Sequence, residues 1–162
     1  MQTPRDLFEH ELLDMYDAEH RLAKSLPAMA KSASDEKLSS GFERHAEQTK
    51  GHIERLEQCC KALGIEPKRE TCPGMAGLVK EYEQFVKEEP SEEVMNLFLL
   101  SAADKTEHYE IIGYRSLIEM ADGLGEGDAV TLLRETLKEE EKMASELEKL
   151  QKQLGKQLVT AG

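Results

Sequence analysis

A glutamate set among apolar residues at helical spacing is a candidate for chemistry, because a carboxylate buried there must be protonated, paired with a cation or bound to metal. With each residue placed at about 100° per step around a helix, Glu19 falls at the centre of a stripe made by Leu12, Met15, Leu22, Ala23 and Leu26. Glu9, Glu11 and Asp17 fall toward the edges or outside. Glu107 and Glu110, neighbours at i, i+3, occupy the centre of the stripe Leu100, Ala103, Ile111, Tyr114, Ile118 and Ala121, while His108 points elsewhere. Glu140 lies between Leu133, Leu137, Ala144 and Leu147, with Glu139 and Glu141 to either side. The segment around Phe42 and Leu56 brings His45, Thr49 and His52 onto its apolar face, with Gln48 at the margin and Glu47 outward.

Any one of these residues alone has an ordinary reading as an edge residue or a hydrogen-bonded core histidine. Their coincidence is what points to chemistry. Lys105 and Arg115, the plausible cations of their segment, project away from the Glu107 face. An internal pair of cations is then the simplest neutralising agent, and oxygen-rich ligands with limited imidazole favour iron or manganese over zinc.

Four long amphipathic segments must position these residues. The spacing predicts helices over about 3–31, 35–63, 91–122 and 128–158 of a single domain, 1–162. Thr3-Pro4 is a helix start, Ser91 caps the segment that follows it, and Gly64 is a stop signal. Pro27 lies inside the first segment, and a kink or break near 24–26 is expected because proline removes a backbone donor. Residues 64–90 hold Pro67, Pro73, Gly74 and Gly77 and read as a long crossover with one short helix at about 75–88. Two short connections and one long crossover suit an all-α, ferritin-like four-helix bundle. An up-down bundle with another chain path fits the spacing as well.

Composition excludes other classes. Against 21 Lys+Arg stand 33 Asp+Glu, a net charge of −12, with the cations scattered among acids. Neither a polyphosphate nor an anionic membrane surface suits such a chain. No apolar run approaches the roughly 20 residues needed to span a bilayer. The N-terminus lacks the basic and apolar regions of a secretory signal, so a cytoplasmic location is expected. Cys59, Cys60 and Cys72 read as reduced, buried thiols, since three cannot all pair and adjacent ones pair poorly. Nucleophile-elbow, HExxH, P-loop and dinucleotide fingerprints are absent from the sequence.

Four stretches carry a resemblance. Leu12-Leu-Asp-Met-Tyr-Asp-Ala-Glu19, His45-Ala-Glu-Gln-Thr49, Cys72-Pro-Gly-Met-Ala-Gly-Leu78 and Glu107-His-Tyr-Glu110 with Tyr114 are similar to the YciE/YciF family of ferritin-like bacterial stress proteins. The likeness extends over nearly the whole chain, through Leu137-Lys-Glu-Glu140 and Leu147. It implies a ferritin-like bundle, a homodimer, and a dinuclear iron or manganese centre akin to that of rubrerythrins, held by Glu19, His45, Glu107, Glu110 and Glu140. A role in stress is implied too, with reaction at oxygen or peroxide. Tyr16 or Tyr114 would be a nearby hydrogen donor, and electrons would come from a separate partner because no rubredoxin-like CxxC is present.

The chain departs from the family pattern at Gln48, usually an acid, and at Ala144, often an aspartate. A neutral amide is a weaker ligand, which puts one metal position in question. His52, one turn from Gln48 on the same face, is placed to compensate. The competing expectation is a metal-poor structural or interaction dimer of the same fold, without turnover.

Overall fold

A computed structural model describes residues 1–160, with side chains through Leu154. Five helices follow in order: α1 Pro4–Ser32, α2 Glu36–Leu63, α3 Pro73–Val86, α4 Glu92–Gly123 and α5 Gly127–Thr160. Each start is chemically marked. Thr3 caps α1 in a reciprocal box, its hydroxyl accepting from the Asp6 amide while the Asp6 carboxylate accepts from the Thr3 amide, both at 3.1 Å. Asp35 accepts from the amides of Lys37 and Leu38 to cap α2, and Ser91 caps α4. Gly64, at φ 71°, terminates α2 in the left-handed region that favours glycine, and the following Ile65 amide donates to the Cys60 carbonyl at 2.8 Å.

Of the kink or break expected near Pro27, the break does not occur: α1 continues to Ser32, with the ring exposed on its outer side. A proline facing solvent costs α1 one hydrogen bond but meets no neighbouring helix, so packing on the opposite side carries the helix through. The crossover helix begins at Pro73, two residues before the expected start, because Cys72 acts as its N-cap with Sγ accepting from the Met75 amide at 3.4 Å. Its first turn lies against Tyr109, where a Cβ on Gly74 would meet the ring at 2.6 Å. Any larger residue there would have to displace the ring.

Short links join α1 to α2 and α4 to α5, and residues 64–91 carry the chain back along the bundle. Asn96 near the start of α4 ties to the α1–α2 link, its Oδ1 accepting from the Ser34 amide at 3.0 Å. Arg5 near the start of α1 pairs with Glu126 in the α4–α5 link at the opposite end. With α1 against α2 and α4, and α5 against α4 and α2, neighbouring helices are antiparallel while α2 and α4 share a direction. That path needs the long crossover, and the architecture is the ferritin-like one. Helix α3 packs outside, on α1 and α4. Among the described residues no helix is long and apolar enough to cross a membrane.

The bundle interior divides into two apolar clusters. One is centred on Phe8, Leu12, Leu56, Tyr114 and Leu133. The other holds Leu26, Leu38, Phe42, Leu99 and Leu147. Every long helix passes from one cluster to the other through a buried polar stretch: Glu19 on α1, His45 to His52 on α2, Thr106 to Glu110 on α4, Thr136 and Glu140 on α5.

Candidate metal centre

The polar stretches meet in one layer across the bundle. Each helix contributes by register: a residue about midway along a helix of roughly 30 residues faces the same level as its counterparts, and helical phase turns it inward. His45, Glu107, Glu110 and Glu140 each offer a ligand atom within 4.8 Å of the others, and so do Glu19, His52 and Glu140. Glu140 belongs to both groups. All six residues are at most 3% exposed.

The inward glutamates anticipated from spacing, Glu19, Glu107, Glu110 and Glu140, are thus brought together with His45. His52 joins them as a full member rather than a substitute, its Nδ1 2.8 Å from Glu140 Oε1 and 3.4 Å from Glu19 Oε1. Gln48 is half-buried. Thr49 is buried but turned back on its own helix, its hydroxyl donating to the His45 carbonyl at 2.8 Å. His108 is exposed, and Lys105 and Arg115 pair outward with Glu81 and Glu141.

Electrostatics in the layer are severe. Burial raises the carboxyls of Glu107 and Glu110 well above the ordinary range, and the charges of Glu140 and Glu19 raise them further. Burial also raises Glu19. It lowers His45 to about 4, leaving that imidazole neutral. For His52, burial works downward, but the carboxylates of Glu19 and Glu140 outweigh it and push the ring up to about 10. Glu140 moves the other way: burial opposes its charge, and the adjacent His52 imidazolium holds it below its usual value.

These internal contacts leave much unmet. Among the described residues, eight buried side-chain atoms lack a hydrogen-bond partner, and all lie in the layer: Glu19 Oε2, His45 Nε2, His52 Nδ1, Glu107 Oε2, and both oxygens of Glu110 and of Glu140. The short His52–Glu140 approach is close in distance but not aligned as a hydrogen bond. Buried polar atoms are nearly always paired in folded proteins. A concentration of orphans on six side chains of types that can ligate metal is an arrangement a bound cation would satisfy.

The far side of the layer is braced. His52 Nε2 donates to Glu139 Oε2 at 3.0 Å, the same carboxylate accepts from Arg55 Nη2, and Arg55 Nε donates to Thr136 Oγ1 at 2.9 Å. A carboxylate on the outer nitrogen holds a proton at Nε2, so that Nδ1 is the nitrogen that would turn a lone pair inward once its own proton is lost. Sequence reasoning set Glu139 aside as a flanking acid. The available signal was His52 and Arg55 at i, i+3 on one face of α2.

The two tyrosines part company. The Tyr114 hydroxyl donates to Glu19 Oε1 inside the layer, and burial together with the Glu19 charge pushes its phenol well above 10. Tyr16 donates instead to Glu57 at 2.8 Å, away from the layer.

Asp17, expected at the edge of α1, is 2% exposed. It accepts from Arg21 Nε at 2.5 Å, Arg69 Nη2 at 2.7 Å and the Cys72 amide at 2.9 Å. The crossover covers it, and local periodicity carries no information about a segment fifty residues away. Cys59, Cys60 and Cys72 are free and buried.

Comparison with known proteins places this arrangement. A family described as a domain of unknown function (DUF892) matches residues 3–160. Protein YciF of Escherichia coli strain K12 is 41% identical over 141 residues, 86% of this chain and 85% of that protein. The crystal structure of the E. coli stress protein YciF superposes with a TM-score of 0.92 at 38% identity, over 96% of this chain and 99% of that one. YcfI of Rhodopseudomonas palustris gives a TM-score of 0.89 at 38% identity, over 91% and 94% of the two chains. A Xanthomonas campestris protein at 22% identity shares the fold, with a TM-score of 0.78 over 98% of each chain.

Proposed function

This chain belongs to the DUF892 family, and from that membership and the buried His/Glu layer we propose that it is a stress-response protein holding two iron or manganese ions and reacting with oxygen or peroxide. The observation that carries this reading is the confinement of the orphaned buried atoms to six side chains of ligating type. Charge supports it. With their protons given up in exchange for metal, four carboxylates and two neutral imidazoles would carry −4, which two divalent cations would neutralise. No arginine or lysine is among the buried polar residues of the described chain.

In this reading His45, Glu107, Glu110 and Glu140 would hold one ion, and Glu19, His52 and Glu140 the other. Two such ions would supply redox chemistry toward oxygen or peroxide. The protein's own part is positional. Tyr114 keeps its proton against Glu19, Glu139 and Arg55 fix the ring of His52, and the apolar cluster around Phe8, Leu12, Leu56 and Leu133 excludes water on one side of the layer. His52 supplies the second imidazole, so Gln48 need not ligate. The resemblance to YciE/YciF proteins supports a homodimer, and reducing equivalents would come from a separate donor protein.

Anaerobic loading with ferrous iron followed by peroxide tests the reading. Oxidation should run with kinetics distinct from those of free iron, and Glu107→Ala should return it to the free-iron course. Indistinguishable kinetics in the unaltered protein would reduce the centre to a binding site, and the metal-poor structural dimer would then be the better account.

A further inference from the structure

The layer is not sealed on every side. A cavity of about 350 Å³ opens between α2, α4 and α5 and has His45 and Glu107 in its lining. That volume falls in the range of about 300–1,000 Å³ typical of small-molecule sites. Its walls are apolar: Leu38, Phe42, Ala103, Met143 and Leu147 are all at most 7% exposed. Half-buried Leu150 continues the apolar lining outward. Polar groups therefore occur at two levels, the buried His45 and Glu107 and the exposed lining residues.

The exposed residues have an unexpected sign. In a chain with 33 acids and 21 Lys+Arg, the charged residues exposed or half-exposed around this cavity are Lys37, Arg44 and Lys149 against Glu146 alone. Arg44 pairs with Glu146 at 2.7 Å. Lys37 and Lys149 make no ion pair among the described residues, which leaves their charge available. Field lines focus in such a low-dielectric cleft, so a local positive excess selects anions even on an acidic protein. An inorganic anion would gain nothing from the aliphatic walls, and an uncharged hydrocarbon nothing from the lysines. A molecule with both features matches both.

We propose that this cavity binds an amphipathic carboxylate of the medium-chain fatty-acid class, with its carboxylate among Lys37, Arg44 and Lys149 and its alkyl chain along the apolar walls toward His45 and Glu107. The assignment rests on the di-metal reading only for what becomes of the bound molecule, since it names what would be presented to that layer. Binding itself draws on residues of which only His45 and Glu107 are proposed ligands.

Calorimetric titration of the full-length chain with decanoate, before and after metal loading, tests it. Saturable binding of one decanoate per chain is expected, with octanoate about tenfold weaker because each buried methylene contributes a factor of about three to four. Decyltrimethylammonium, of equal chain length and opposite charge, should bind at least about tenfold more weakly. The Lys37→Glu, Lys149→Glu double variant changes exposed side chains only and should lose decanoate affinity while keeping its melting temperature. Leu150→Trp should lose it by filling the cavity.

Absence of saturation, equal binding of the cationic analogue, or insensitivity to both variants would overturn the proposal. Concentration-dependent self-association that decanoate leaves unchanged and Leu150→Trp abolishes would overturn it too, by making a second copy of the chain the occupant. Decanoate binding in a protein that fails to load metal would uphold the cavity while removing the di-metal reading. Metal loading without decanoate binding would do the reverse.

Discussion

Asp17 and Glu19 stand two residues apart on α1, both buried, and their surroundings follow opposite rules. Asp17 is met by two guanidinium groups and a backbone amide, which hold its carboxyl below the usual range even though burial works to raise it. Glu19 has an imidazole and a phenol for company, and burial raises it. Burial is common to both. What separates a structural carboxylate from a candidate ligand is the supply of cationic and N–H donors around it. Asp17 fastens the crossover to α1 through Arg69 and Cys72, whereas Glu19 and its partners leave oxygens and nitrogens unmet.

The contrast can be broken experimentally, most severely at Glu140. As the residue common to both ligand groups, it should be indispensable: Glu140→Ala is expected to drop metal content from about two ions per chain to fewer than one. Element analysis of the folded variant decides. Retention of both ions would mean that the layer is not organised around Glu140.

Asp17→Ala should act on folding instead. Leaving the Cys72 amide unmet and two arginines unpaired is expected to cost about 2 kcal/mol in urea unfolding, discounted because Arg69 is half exposed. The loss should be the same with and without metal. A loss seen only in the metal-loaded protein would place Asp17 in the centre and erase the distinction.

A smaller effect is expected at Glu139→Gln, which weakens the brace on His52 without touching the ligand groups. Metal affinity should fall roughly tenfold, at the lower end for an outer hydrogen-bond partner, with little change in melting temperature of the metal-free protein. An unchanged metal titration would show that the Glu139–His52 contact does not orient the ring.

The mildest test is pH. His52 is raised in the folded protein to about 10 from 6.5, so the fold binds more protons than the unfolded chain across that window, and stability falls as pH rises through it. Glu107 and Glu110, raised above their unfolded values, act in the same direction. His45, lowered to about 4, is neutral in both states above pH 7 and contributes little there. The metal-free protein should therefore lose roughly 1 kcal/mol per titrating group between pH 7 and 8, measured by thermal unfolding. Metal, which takes the place of those protons, should flatten the decline. A metal-free protein that grows more stable over this interval would contradict the assignment of raised groups to the layer.

Helical phase was enough to find Glu19, Glu107, Glu110 and Glu140, because a residue's direction on a straight helix depends only on its own neighbours. It also separated His108, Lys105 and Arg115 from the interior. Partnerships between helices were not legible in that way. His52 could be placed on the apolar face, but its standing as a second imidazole depends on Glu19 and Glu140 reaching it from α1 and α5. Asp17 looked peripheral because the Arg69–Cys72 segment that buries it belongs to the crossover. Pro27 does not end α1: its helix-breaking tendency is a local rule, overridden by a long helix that packs on both sides of the proline and turns the ring to solvent. The cysteine cap before α3 was equally hidden, since a thiol is not an ordinary N-cap.

The central claim is that six buried side chains hold two cations, and anaerobic titration of chelator-treated protein with ferrous iron tests it most directly. The account predicts saturation at about two ions per chain, with a rise in melting temperature as the orphaned atoms of the layer gain a partner. Fewer than about one ion per two chains, unchanged in Glu107→Ala, would contradict it.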